Sequence, residues 1–248
     1  MQLVSPAGYG RLVVLDRERH RGLGVAPGPI RFGRDLHAIY LTAAEFFRAA
    51  RDYPIVFGRN ADSGEYAPLA LTGLKPGENL FVDGDGCWTD RTAYVPGYVR
   101  RYPFCTAQVQ QAGEGVPNRL ICVDEAGLSA AAPVLFDTRG APTEAWKKLE
   151  RFITEMEAAQ ALTAQLAARL AELDLLEPFE AQAHPESGEV FRLTGLHRVN
   201  ENRLNGLPGD TVSELMKRGM LSRVYAHLMS LDNFAALLDR HVARPRRE

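Results

Sequence analysis

Two short stretches of this chain bring together side chains that could do chemistry. Arg34, Asp35 and His37 stand almost side by side, and Arg51, Asp52 and Tyr53 come just before a strand-like run. An imidazole beside carboxylates is the material of general acid–base work, with the guanidiniums available to hold an anion. Further along, Arg100 and Arg101 sit between Tyr98 and Tyr102, with Trp88 and Tyr94 upstream. These residue types suit recognition. A planar guanidinium takes a carboxylate in a fork, and phenol and indole rings stack on apolar groups while offering a polar edge. If residues 95–101 form one or two helical turns, Arg101 shares a face with Tyr98 and Arg100 points elsewhere. Two readings stand. Either these residues frame a surface for an anion or a peptide carboxylate, or the rings form a core rimmed by arginine–carboxylate pairs.

Familiar catalytic signatures are missing. Gly22-x-Gly24 followed by Gly28 fails as a dinucleotide fingerprint because Pro27 holds the third position and no helical pattern follows. Lys75-Pro76-Gly77 is not a phosphate loop. Asp83-Gly84-Asp85-Gly86 begins like a calcium loop, but Cys87 and Trp88 stand where a ligand and the turn glycine belong, so a hairpin turn is expected. No pair of histidines has helical ligand spacing, and no GxSxG or HExxH occurs. His227, between Val224 and Leu228, reads as a hydrogen-bonded interior histidine. No metal and no cofactor is expected.

Composition narrows the class further. Hydrophobic residues make up 46% and charged residues 24%, as in ordinary globular proteins. A formal net charge of −2 offers no basic face for nucleic acid. The basic ending through Arg240, His241, Arg244, Arg246 and Arg247 reads as a solvated helix end and tail, with a phosphate-binding tail as the other possibility. No apolar stretch is long enough to span a bilayer and no secretory pattern opens the chain, so a cytoplasmic protein is expected. Cys87, Cys105 and Cys122 are odd in number and lack CxxC spacing, which fits buried thiols.

The elements that must position these residues can be read from periodicity and turn chemistry. Thr42 and Glu45 form a capping box for a short helix over 42–51. Strands are predicted at Ile55–Phe57, Tyr66–Thr72, Asn79–Val82, Phe104–Gln110 and Arg119–Val123, separated by Gly- and Asp-rich turns that include Gly113–Gly115. A helix of about thirty residues begins near Thr143. Its predicted apolar stripe runs through Trp146, Leu149, Phe152, Ile153, Met156, Leu162, Leu166, Leu170 and Leu173. Between Gln160 and Ala171 its only charge is Arg169, so close contact with a partner helix is expected, either in the chain or in a second copy as a homodimer. A hairpin over 178–196 turns at residues 184–189, and helices complete the chain, with a second capping box at Thr211–Glu214 and a stop at Gly219. The expected architecture is one α+β domain over residues 1–248. A mainly antiparallel sheet from about 1–140 packs against the long helix and a C-terminal helical segment from about 141–248.

Phrases along nearly the whole chain resemble the bacterial SapC family. They include Phe32-Gly33-Arg34-Asp35-Leu36-His37, Ala43-Ala44-Glu45-Phe46, Ala50-Arg51-Asp52-Tyr53-Pro54-Ile55-Val56-Phe57, Leu71-Thr72-Gly73-Leu74 and Gly77-Glu78-Asn79-Leu80-Phe81-Val82. Tyr94-Val95-Pro96-Gly97-Tyr98-Val99-Arg100-Arg101-Tyr102-Pro103-Phe104 follows, then Leu173-Asp174-Leu175-Leu176-Glu177-Pro178, Val199-Asn200-Glu201 and Ala226-His227-Leu228-x-Ser230-Leu231-x-Asn233. Residues 113–118 match no such phrase. The resemblance carries no reaction with it. It implies company instead: genes for flavin-dependent halogenase-like proteins and outer-membrane receptors as neighbours, and hence a halogenase-like protein as a possible partner. From residues and resemblance together, the expected function is a non-catalytic binding or accessory protein. Its groove is lined by Arg51, Asp52, Tyr53, Trp88, Tyr94, Tyr98, Arg101 and Tyr102, with a peptide or partner protein as ligand. The alternative is an enzyme or enzyme subunit using Arg34, Asp35 and His37 with Arg51 and Asp52.

Overall fold

The computed structural model describes residues 5–25, 28, 31–109, 118–183 and 191–244. Residues 113–117, the predicted turn at 184–189 and the tail cations Arg246 and Arg247 lie outside these. The chain runs β1 (Leu12–Val14), β2 (Gly24–Val25), β3 (Ala38–Tyr40), α1 (Phe46–Ala49), β4 (Ile55–Arg59), β5 (Tyr66–Leu71), α2 (Gly97–Arg100), β6 (Phe104–Val109), β7 (Asn118–Asp124) and β8 (Leu128–Ser129). Then come α3 (Glu144–Glu172), β9 (Leu176–Ala183), β10 (Phe191–Val199), α4 (Glu201–Asn205), α5 (Gly209–Lys217), α6 (Met220–Ser230) and α7 (Asn233–Ala243). The fold class is α+β, with antiparallel sheets packed against a long helix and the C-terminal helices.

The strands form a five-stranded sheet in the order β3-β5-β4-β10-β9, a three-stranded sheet in the order β1-β7-β6, and the pair β2-β8. The predicted hairpin near 178–196 exists as β9 and β10, and β10 also joins β4 through Leu196↔Gly58 and His197↔Phe57. The larger sheet is therefore completed by strands that follow the long helix. Ile55, Val56 and Phe57 on β4 are all buried, as expected for a central strand covered on both faces. In the smaller sheet the faces divide by alternation. Phe104 and Val123 face a core with Trp146 of α3, while Cys105 and Cys122 face an aromatic cluster containing Tyr9 and Tyr98.

Several local expectations need correcting. Asn79–Val82 is not a strand. Its Asn79 side chain bonds Gly33 O and Phe81 N, and only Val82 makes a bridge, to Trp88. Thr211 is no helix cap, because α5 begins two residues earlier behind Pro208. Gly219 does separate α5 from α6, at φ +66°, where only glycine sits without strain. Cys87 is exposed, whereas Cys105 and Cys122 are buried and directly opposed across β6 and β7.

Helix α3 starts where predicted, with Thr143 Oγ1 accepting from Trp146 N at 3.3 Å. Trp146, Ile153, Met156, Leu166 and Leu170 are buried as the stripe requires. Leu162 is the exception, at 63% exposure. The stripe instead passes through Thr163, which is in step with Met156 and Leu166 at helical spacing. Its hydroxyl donates to Ala159 O and accepts from Ala43 N, so no polar atom is stranded.

Candidate functional site: the α2 turn and its aromatic surround

Pro96 opens α2 with extended backbone, and the single turn that follows sorts its side chains by angle. Tyr98 and Arg101, three residues apart, stack with the guanidinium carbon 4.8 Å from the ring centre. Arg100 goes the other way. It lies 4.9 Å from the Phe152 ring and 5.5 Å from the Tyr94 ring, and donates to Tyr94 OH at 2.9 Å.

The residues proposed from sequence fall into two groups flanking this turn. In the first, Tyr53 is fully buried and packs 4.5 Å from Phe81, with its hydroxyl donating to Tyr94 O. Asp52 accepts from Tyr94 N at 2.9 Å. Nearby, buried Glu45 accepts four hydrogen bonds: Thr42 N and Oγ1 on one oxygen, Gly97 N at 2.6 Å and Tyr94 OH at 2.9 Å on the other. This carboxylate ties the 3-10 turn at Ala43–Glu45 to the start of α2. It was read in the sequence only as half of a capping box, because nothing local signals the two long-range donors.

The second group is Tyr98, Arg101 and Tyr102 with three residues that the sequence reading missed, Tyr9, Phe32 and Tyr40. Phe32 stacks on Tyr102 at 4.4 Å, and Tyr9 meets both Tyr98 and Tyr102 edge-on. Tyr9 and Tyr40 come from distant segments with no pattern linking them to α2, so only folding reveals them. Each phenol hydroxyl that is directed inward finds an acceptor: Tyr9 donates to Phe104 O and Tyr98 to Ala7 O. Burial raises the pKa of Tyr9, Tyr40 and Tyr98, the last to about 12, while the neighbouring Arg101 charge pulls each back. Trp88 is half-buried and touches the cores of both groups, so it joins them.

Arg101 is the odd member. It is half-buried and its guanidinium reaches the Tyr9 and Tyr98 hydroxyls, but its Nε is buried without a hydrogen-bond partner, and among the described residues no carboxylate pairs with it. Asp124, the buried acid of this cluster, is occupied by Gly10 N at 2.7 Å, Ala126 N at 3.1 Å and Tyr102 OH at 3.4 Å. A guanidinium taken partly out of water with no counter-charge is energetically unfavourable. The indole Nε1 of Trp88 is likewise buried, with the Tyr53 hydroxyl beside it. Arg51, at the far end of the first group, is exposed.

The other candidate set is not bonded to itself. Asp35 is exposed, Arg34 and His37 are half-buried, and burial lowers the pKa of the His37 imidazole. Among the described residues no hydrogen bond or ion pair joins Arg34, Asp35, His37, Arg51 and Asp52. No group of three or more His, Cys, Asp or Glu among the described residues could hold a metal ion. No described helix is long and apolar enough to cross a membrane.

The C-terminal segment, in contrast, is dense with polar contacts. His227 bonds Val199 N at 3.0 Å and Ile55 O at 2.8 Å. Ser230 Oγ accepts from Ile55 N, and Asn233 Nδ2 donates to Ala50 O and Tyr53 O. The basic ending is not a free tail over its described part. Arg240 pairs with Asp90 at 3.0 Å, His241 meets Glu78, and Arg244 donates to Asn79 O and Val82 O. His227, Ser230, Asn233, Glu78 and Asn79 stand in the phrases quoted above, and a sequence model of the SapC family matches residues 15–237. The chain belongs to the SapC family. No curated protein and no solved structure matches it. In this SapC-family chain, several polar residues of the phrases quoted above hold backbone in place. Glu45, Asn79, His227, Ser230 and Asn233 all bond main-chain groups of distant segments. Arg101 belongs to the same phrases yet does no such work.

Proposed function

We propose that this SapC-family chain is a non-catalytic binding or accessory protein, acting as one α+β domain in the cytoplasm. Its ligand is a peptide or partner protein that presents a carboxylate to Arg101. The observation that carries the reading is the half-buried guanidinium stacked on Tyr98 with no acid beside it. One fork of donors fits a carboxylate, the half-buried rings of Tyr102 and Trp88 offer apolar contact beside it, and buried Tyr98 supports the guanidinium from behind. Asp52, Tyr53 and Tyr94 serve as the bonded wall behind this surface, and Arg51 as an exposed outlying cation. A halogenase-like protein is a candidate partner; nucleic acid is not. The enzyme alternative through Arg34, Asp35 and His37 lacks an acid–base pair to support it.

The test uses Arg101→Gln, because Tyr98 is itself core: it is 8% exposed and its hydroxyl bonds Ala7 O at 2.6 Å. Immobilised acidic peptides with free carboxylates are compared with the same peptides amidated. The wild-type protein should retain the free-acid set, and Arg101→Gln should lose at least about tenfold in affinity, the scale of a lost charge-assisted pair. Its melting temperature should stay within a few degrees, since the lost stacking on Tyr98 offsets the relief of a charge without an acid. Equal retention by both proteins, or of both peptide sets, would remove the proposal.

A further inference from the structure

The outer side of α3 carries a row that the fold leaves uncovered. Arg151, Glu155, Ala158, Leu162, Gln165 and Arg169 recur at alternate steps of four and three, which aligns them along one side of a helix. Leu162, at the middle, is 63% exposed, and the alanines around it (Ala158, Ala161 and Ala168) are exposed too. A large aliphatic side chain set among small ones, with no charge between Glu157 and Arg169, allows a second helix to approach closely.

The charges at the ends of the row specify which helix. Reading along α3, the order is Arg151, Glu155, then Arg169, Glu172: plus, minus, plus, minus. Laid parallel on a second copy, every charge meets its own kind. Laid antiparallel about Leu162, Arg151 meets the partner's Glu172 and Glu155 meets the partner's Arg169. Each chain contributes both halves of the pattern, so the contact closes on itself with two-fold symmetry. Within one chain these charges pair along the helix, Arg151 with Glu155 at 4.0 Å and Arg169 with Glu172 at 3.1 Å. Such exposed pairs hold weakly, and Arg151 at 74%, Glu155 at 68% and Glu172 at 64% exposure can turn to a partner. Arg169, at 26%, also bonds Glu214 at 2.7 Å within its own chain, which holds its guanidinium at the edge of the row.

We propose that two copies of this chain pair antiparallel through the Leu162 face of α3. Exposed ion pairs contribute little affinity, so they select the antiparallel direction while Leu162 and the alanines supply the apolar contact. The dimer is expected to be weak and concentration-dependent. Sedimentation of the full chain up to about 100 μM should show a monomer–dimer equilibrium. Leu162→Glu should weaken it by more than about tenfold with an unchanged melting temperature, because Leu162 takes no part in the core. Arg151→Glu and Glu172→Arg should each weaken it, and the double reversal should restore it. A wild-type protein that stays monomeric at that concentration overturns the proposal. So does a dimer indifferent to Leu162→Glu, and failure of the double reversal to restore pairing overturns the antiparallel arrangement.

Discussion

His227 should make this protein lose stability in mild acid. The Val199 amide can only donate, so Nε2 of His227 accepts at 3.0 Å; the Ile55 carbonyl can only accept, so Nδ1 carries the proton at 2.8 Å. The ring is therefore neutral in the folded state, and it is fully buried against Phe57. Burial lowers its pKa from 6.5 to about 4, because protonation would leave a charge out of water and turn Nε2 from acceptor to donor against the Val199 N–H. The unfolded chain takes up that proton near pH 6.5 and the folded chain does not until about pH 4. Stability from this group is complete above 6.5 and falls as the pH drops through that interval. The loss approaches about 1.4 kcal/mol per pH unit, about 3 kcal/mol in all and about 2 kcal/mol between pH 7 and 5. Burial also lowers the pKa of His37 and His197, so they add smaller losses of the same sign, and a variant is needed as the control. Urea unfolding at pH 7, 6 and 5 should show the gap between wild type and His227→Gln narrowing by about 2 kcal/mol. Parallel curves for the two proteins, or a His227 ring that titrates near pH 6.5 in the folded state by NMR, would refute this account.

Two further substitutions test the hub behind the α2 turn. Glu45→Gln keeps the shape but turns one acceptor oxygen into a donor facing N–H and O–H groups, so denaturant unfolding should report a loss of about 3 kcal/mol. An unaltered midpoint would mean that Thr42, Gly97 and Tyr94 do not converge on this carboxylate. Gly97→Ala adds a methyl group that would lie 2.6 Å from Met156 Sδ and 3.1 Å from Glu45 Oε1. Overpacking of that kind should cost about 2 kcal/mol and be relieved by shortening Met156 to Ala in the same chain. If the double variant is no more stable than additivity predicts, the close approach of α2 to α3 is wrong.

Local and periodic features were legible in the residues themselves. The span of α3 and its Thr143 cap, the strands at 55–59, 66–71 and 104–109, the Gly219 break and the interior role of His227 all follow from side-chain chemistry acting within a few positions. The split between Arg100 and Arg101 was also legible, since one helical turn separates adjacent side chains by angle. The stripe on α3 shows where this stops. Leucine suits a core, but Leu162 lies off the line joining Met156 to Leu166, and Thr163 takes the interior place because Ala43 N reaches it from 120 positions away.

What depends on distant partners was decided only on folding. The sequence established that Tyr98 and Arg101 stand on one face, that Glu45 can cap a turn, and that Arg240 to Arg244 are cationic. Tertiary structure decided that Glu45 also binds Gly97 and Tyr94, that the last helix is pinned by its cations to the 78–90 segment, and that Arg101 is left without an acid. The reason is physical: a hydrogen bond or ion pair needs its two groups within about 3–4 Å. A chain reveals in advance only those pairs that its local geometry already holds that close.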